Sequence, residues 1–103
     1  MTEPVTYSRT DLVSTIGMDD GKVNVFSIPM LRALNGAFDQ AERDETVVLL
    51  HGRPGCFSAG FDLGTLSGPP EDALTLLRLG ASLAERILSF PAPATRFPPA
   101  RSC

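Results

Sequence analysis

A mixed α/β fold is what the order of elements in this 103-residue chain predicts. Three observations carry that expectation. Short β-branched segments alternate with amphipathic helical stretches, an apolar run leads directly into a glycine-rich loop, and no segment repeats. The resulting order is strand, strand, short strand, helix, strand, loop, helix.

Val5 to Met18 carries Val5, Thr6 and Tyr7, then Leu12, Val13, Thr15 and Ile16, which fits two short strands. Asp19-Asp-Gly-Lys22 is a turn by composition, with Gly21 at the left-handed position, and a hairpin closing onto Val23 to Phe26 is expected. Ser27 suits a helix N-cap, and Pro29 suits the first turn, where a missing N–H costs nothing. Leu31, Leu34, Phe38 and Ala41 then follow helical spacing as the core face, each of the larger three contributing about 1.5–3 kcal/mol if buried. Arg43-Asp-Glu45 ends that helix, and Thr46 to His51 reads as a buried strand. After the loop, Ser67-Gly-Pro-Pro70 breaks the chain. Leu74, Leu77, Ala81, Ala84 and Leu88 mark the core face of a second helix stopped by Pro91. Ala94 to Cys103 has neither period and is expected to be an irregular, disordered tail, so residues 1–93 form the ordered unit.

Composition narrows the function. Hydrophobic residues make up 43% of the chain, enough for a core, although a chain of this size buries only about 60–65% of its unfolded surface. The net charge of −3, without a Lys/Arg cluster, argues against nucleic-acid binding. No apolar run approaches the roughly 20 residues of a membrane span, and the N-terminus lacks the basic-then-apolar order of a secretory signal. Two cysteines, Cys56 and Cys103, are too few for a disulfide framework, so a reduced, cytoplasmic protein is expected.

The loop Gly52-Arg-Pro-Gly-Cys-Phe-Ser-Ala-Gly-Phe-Asp-Leu63 concentrates the chemistry. It lacks the Gly-Lys-Ser/Thr of a phosphate loop. Ser58 sits in Cys-Phe-Ser-Ala-Gly, without the first glycine of a nucleophile elbow. Cys56 with His51 has no third residue to orient it, and a single histidine builds no metal site. Two readings remain: a structural glycine turn, or a loop that aims main-chain N–H groups at an oxyanion. Fixed donors of the second kind stabilise a carbonyl oxygen as it gains charge.

Gly55 to Leu63 resembles the Phe-Ser-Ala-Gly-x-Asp-Leu signature of the crotonase superfamily, the enoyl-CoA hydratases and isomerases. Val47 to Gly52 is similar to the family strand that feeds it, Lys22-Val-Asn24 with Met30-Leu-x-x-Leu34 to the strand-to-helix segment, and Leu79 to Pro93 to the next helix and its Pro-x-Pro. The resemblance implies the N-terminal part of a crotonase-like spiral of ββα units, incomplete and truncated, with an out-of-frame tail. It implies that the Phe61 N–H is one oxyanion-hole donor. Ala59, Gly60, Phe61, Asp62 and Leu63 would line an acyl-CoA thioester, and Lys22, Val23 and Asn24 would lie near its coenzyme A portion. Asp62 would cap the following turn instead of acting as an acid or base. No metal and no separate cofactor are implied, coenzyme A being part of the substrate, and family members are often trimeric or hexameric. The second donor and the acid/base glutamates have no counterpart, since Glu71, Asp72 and Glu85 fit a solvated helix face. Activity of this chain alone is therefore not expected. The alternative is a non-catalytic acyl-CoA-binding or interaction module that pairs with a full-length relative.

Overall fold

The structure, a computed structural model, describes residues 4–22 and 24–89 and the backbone of 94–96. Its elements run β1 (Val5–Thr10), β2 (Val13–Met18), β3 (Val25–Phe26), α1 (Ile28–Asp44), β4 (Val47–His51), β5 (Gly60–Phe61), α2 (Leu63–Leu66), α3 (Pro70–Ser89) and β6 (Ala94–Arg96). One sheet has the order β1-β2-β4-β6, and a two-stranded sheet joins β3 to β5.

Among the described residues, β1 and β2 alone form a hairpin of named strands. They are antiparallel with Val5 opposite Met18, and Asp11, at φ 53°, makes the turn between them. β2 to β4 and β4 to β6 are parallel pairings. Parallel neighbours require crossovers, and α1 and α3 supply them. The hairpin expected between β2 and Val23–Phe26 does not form. The chain turns out of the main sheet after Met18, and β3 pairs in parallel with β5. The irregular reading of 94–103 is likewise corrected at Ala94–Arg96, which extend the sheet beside Val48–Leu50. The rest of that tail lies outside the described residues.

α1 follows its sequence signals closely. The Ser27 hydroxyl accepts from the Met30 N–H at 3.2 Å, Pro29 occupies the first turn, and Glu45 closes the helix in the left-handed region at φ 54°. Met30, Leu31, Leu34, Ala37, Phe38 and Ala41 are buried against Ile16 and Met18 of β2 and Val48 and Leu50 of β4. Beside this core Ser14 bonds both Tyr7 and Thr46, and the Tyr7 hydroxyl donates to Asp44, so the polar groups under the start of β4 are paired.

α3 presents the other of its two apolar stripes to the core. Leu76 and Leu83 are buried and Leu79 and Ile87 pack beside them, whereas Leu74, Leu77 and Leu88 are 48%, 47% and 88% exposed and Ala81 and Ala84 are exposed too. Both stripes satisfy a 3.6-residue period, so spacing alone does not choose between them. The seat on α1 chooses, and Arg86 of α3 fastens it through ion pairs to Asp39 and Glu42. Truncating Phe38 to Ala should destabilise the chain by about 3–5 kcal/mol. Leu88→Ala should change stability by less than about 0.5 kcal/mol. Urea denaturation of the two variants checks both values.

Candidate functional site

The site grows from the point where the chain leaves β2. Asp20 organises the turn: its Oδ1 accepts from the N–H groups of Lys22 (2.7 Å) and Asn24 (3.0 Å), and its Oδ2 from Val25 (3.1 Å). Burial alone would raise the Asp20 pKa. The donated hydrogens of Asn24, Lys22 and Val25, with the charge of Arg53, outweigh it and hold the carboxyl below the usual aspartate range.

Asn24 then reverses the chain at φ 53°, a conformation asparagine tolerates better than most residues. It is fully buried. Its Oδ1 accepts from the Asp20 N–H (2.9 Å), and its Nδ2 donates to the carbonyls of Met18 (3.0 Å) and Phe57 (3.1 Å). Its own carbonyl accepts from the Ser58 hydroxyl at 2.7 Å, and that hydroxyl accepts from the Gly60 N–H at 3.0 Å. One side chain thus ties the end of β2 to the glycine loop, reaching Phe57, 33 residues beyond Asn24 itself.

Within the loop the glycines do different work. A Cβ at Gly52 would lie 2.5 Å from the Cys56 carbonyl oxygen and 2.7 Å from the Phe57 Cα, so the returning backbone occupies the space of a side chain. That return is closed by mutual 2.9 Å bonds between Arg53 and Cys56. Gly60, at φ 93°, turns the chain into β5. The Arg53 guanidinium bonds the Lys22 carbonyl and pairs with Asp19 at 3.3 Å, fastening the loop to the Asp20 turn.

β5 pairs in parallel with β3, Gly60 opposite Val25 and Phe61 opposite Phe26, and the Asp62 N–H donates to the Phe26 carbonyl at 3.2 Å. Successive N–H groups of a strand point to opposite sides. With Asp62 facing β3, the Phe61 N–H faces away from it. Asp62 caps α2, its Oδ1 accepting from the Gly64 N–H (3.1 Å) and its Oδ2 from the Thr65 hydroxyl (2.9 Å), as the sequence leads one to expect.

Beneath the loop lies an apolar cavity of about 310 Å³. Met18 and Leu50 form its floor, Phe26, Phe57 and Phe61 come from the loop side, and Leu31, Leu34, Gly80, Leu83 and Ile87 come from the helices. The Phe26 and Phe61 rings meet edge to face with centroids 6.1 Å apart. The arrangement can hold an apolar group.

The structure therefore brings Asn24 together with the Ala59–Leu63 segment, and Lys22 is exposed on the adjoining turn. Val23 lies outside the described residues. Asn24, completely enclosed, shapes the loop through its bonds and has no surface with which to touch a ligand. His51 bonds the Gly52 carbonyl (3.0 Å) and lies over Gly17, with its side chain outside the cavity lining. Cys56 lies outside the cavity lining. Sequence reasoning missed Asp20, Arg53, Ser58 and Gly80. Gly80 alone carried a visible signal, since glycine within a helix costs about 1 kcal/mol relative to alanine and asks for a reason.

No protein-family model matches the chain. Among curated proteins, it is 36% identical over 94 residues to a probable enoyl-CoA hydratase of Bacillus subtilis, a match covering 86% of this chain and 36% of that protein. Among solved structures, an enoyl-CoA isomerase of Mycobacterium tuberculosis matches with a TM-score of 0.87 and 43% identity over 93% of this chain and 42% of that one. An enoyl-CoA hydratase from Mycobacterium marinum matches with a TM-score of 0.85 and 44% identity over 90% and 41%. The architecture is that of the crotonase fold, present in part. The chain belongs to the enoyl-CoA hydratase/isomerase family, and it spans about two fifths of the length of these relatives. Among the described residues, no helix is long and apolar enough to cross a membrane.

Replacing Asn24 with Ala strips the Met18 and Phe57 carbonyls of their donor, at about 1–3 kcal/mol for each orphaned buried group. Asn24→Gly should cost about 1 kcal/mol less than Asn24→Ala, because glycine accepts the positive φ. Denaturation midpoints of the two variants check the order. Asp20 supplies an acid-side test. Its folded pKa lies below its unfolded one, so its stabilisation is present above the ordinary aspartate value and is lost as pH falls through the folded value. Asp20→Asn should flatten that acid limb in urea melts taken as a function of pH.

Proposed function

We propose that this chain binds an acyl-CoA thioester through the glycine loop, with the backbone N–H of Phe61 as an oxyanion-hole donor. The observation that supports the reading is the Phe61 N–H, turned away from β3 by the pairing of β5, in a residue that also lines an apolar cavity. A thioester carbonyl oxygen gains negative charge as an enolate forms. An N–H whose backbone is already fixed stabilises that charge without reorganising. The backbone of Ala59, Gly60, Phe61, Asp62 and Leu63 lines the thioester in this reading. Lys22 offers an exposed ammonium to the phosphates of the coenzyme A portion, with Val23 beside it, and Asn24 contributes by holding the loop. The names of the relatives, enoyl-CoA hydratase and isomerase, support the same substrate class.

The role assigned is binding and carbonyl polarisation more than turnover. Among the described residues no carboxylate lines the cavity, and Glu71, Asp72 and Glu85 are exposed on α3. General acid–base assistance, worth about 10²–10⁴-fold in rate, would have to come from elsewhere.

Calorimetric titration tests the proposal. Crotonyl-CoA and acetoacetyl-CoA should both bind saturably. Phe61→Pro, which deletes the donor, should weaken acetoacetyl-CoA by about 10²-fold, as for loss of one oxyanion-hole donor, and leave free coenzyme A nearly unaffected. Absence of saturable heat with either thioester would overturn the reading.

A further inference from the structure

Gly80 stands in the interior of α3, where alanine would make the better helix. A Cβ built at this position falls 2.6 Å from both Cε1 and Cζ of Phe61, against an optimum of about 3.5–4.0 Å for carbon contacts. Gly36, in the interior of α1, is a useful contrast, because nothing lies within 4 Å of its missing Cβ. The absence of a side chain at 80 is thus matched to one particular ring. That ring is held on its other side by Phe26, edge to face.

The clamp adds to the bonds that hold β5, those of Gly60 to the Ser58 hydroxyl and of Asp62 to the Phe26 carbonyl. The strand is two residues long, pairs with a strand of two residues, and begins with Gly60 at φ 93°. Two paired residues leave the peptide plane at Phe61 some freedom, and contact of its partly exposed ring with α3 and Phe26 narrows that freedom. We propose that Gly80 is a positioning residue: the notch it leaves in α3 seats the Phe61 ring and so sets the direction of the Phe61 N–H. The functional half of this inference rests on the acyl-CoA reading above.

The experiment uses the full chain, labelled with ¹⁵N, and acetoacetyl-CoA as probe. Gly80→Ala should move the amide resonances of Phe61 and Asp62 and weaken acetoacetyl-CoA by at least about tenfold, the scale set by small misplacements of a binding group. Gly36→Ala should leave both readouts in place. In a Phe61→Leu background the clash is relieved, so Gly80→Ala should then alter affinity by less than about twofold, the mark of a coupled pair. A simple loss of helix packing would act equally in both backgrounds. An unmoved Phe61 amide in Gly80→Ala, or equal affinity losses in the two backgrounds, would overturn the proposal. If the unmodified chain binds no thioester, the acyl-CoA reading falls, and the amide resonances still decide whether Gly80 positions Phe61.

Discussion

A single buried amide, the side chain of Asn24, joins the two parts of the chain that build the site. It donates to the last residue of β2 and to the glycine loop, and its own carbonyl receives the Ser58 hydroxyl that in turn holds Gly60. The bonds to Met18 and from Ser58 are buried, so losing either leaves a polar group poorly placed to recover it from water. The loop has no regular structure of its own until β5, and its shape is inherited from this set of bonds. Asp20 serves the same end one step earlier, by fixing the conformation that delivers Asn24 to its place.

Around that tether, close approach and ring packing finish the geometry. Gly52 lets the loop backbone return within a distance that excludes any side chain, and Arg53 fastens the return to the Asp20 turn. Phe57, Phe61 and Phe26 roof an apolar cavity whose floor is the same β2 and β4 residues that anchor α1. Core and site are therefore continuous. Packing that stabilises the α1 face also sets the depth and the walls of the cavity, so the glycine loop rests on the buried core of the chain.

Much of this was legible in the sequence, and the exceptions share a cause. Ser27, Pro29 and the Leu31–Leu34–Phe38–Ala41 spacing defined α1 because cap, proline and period all act within one element. Asp62 was legible as a cap for the same reason. What spacing could not reveal were choices made by a distant partner. α3 is apolar on two stripes, and its contact with α1 selects Leu76 and Leu83 over Leu74, Leu77 and Leu88. β3 has two residues and β6 three, too short for an alternation to be read, and their pairing is fixed by β5 and β4. The resemblance set Asn24 near the coenzyme A portion, and spacing gave no sign of the bonds that its buried side chain makes to Met18 and Phe57.

The central claim is that the loop presents the Phe61 N–H on a backbone already fixed without ligand. Amide hydrogen exchange of the free chain, read residue by residue from Ser58 to Asp62, addresses it most directly. Gly60, bonded to the Ser58 hydroxyl, and Asp62, bonded to the Phe26 carbonyl, should be protected, while Phe61 between them exchanges fast. Equal protection at all three positions would mean that the Phe61 N–H is already engaged, and uniformly fast exchange would mean that the loop is not held; either result would contradict the account.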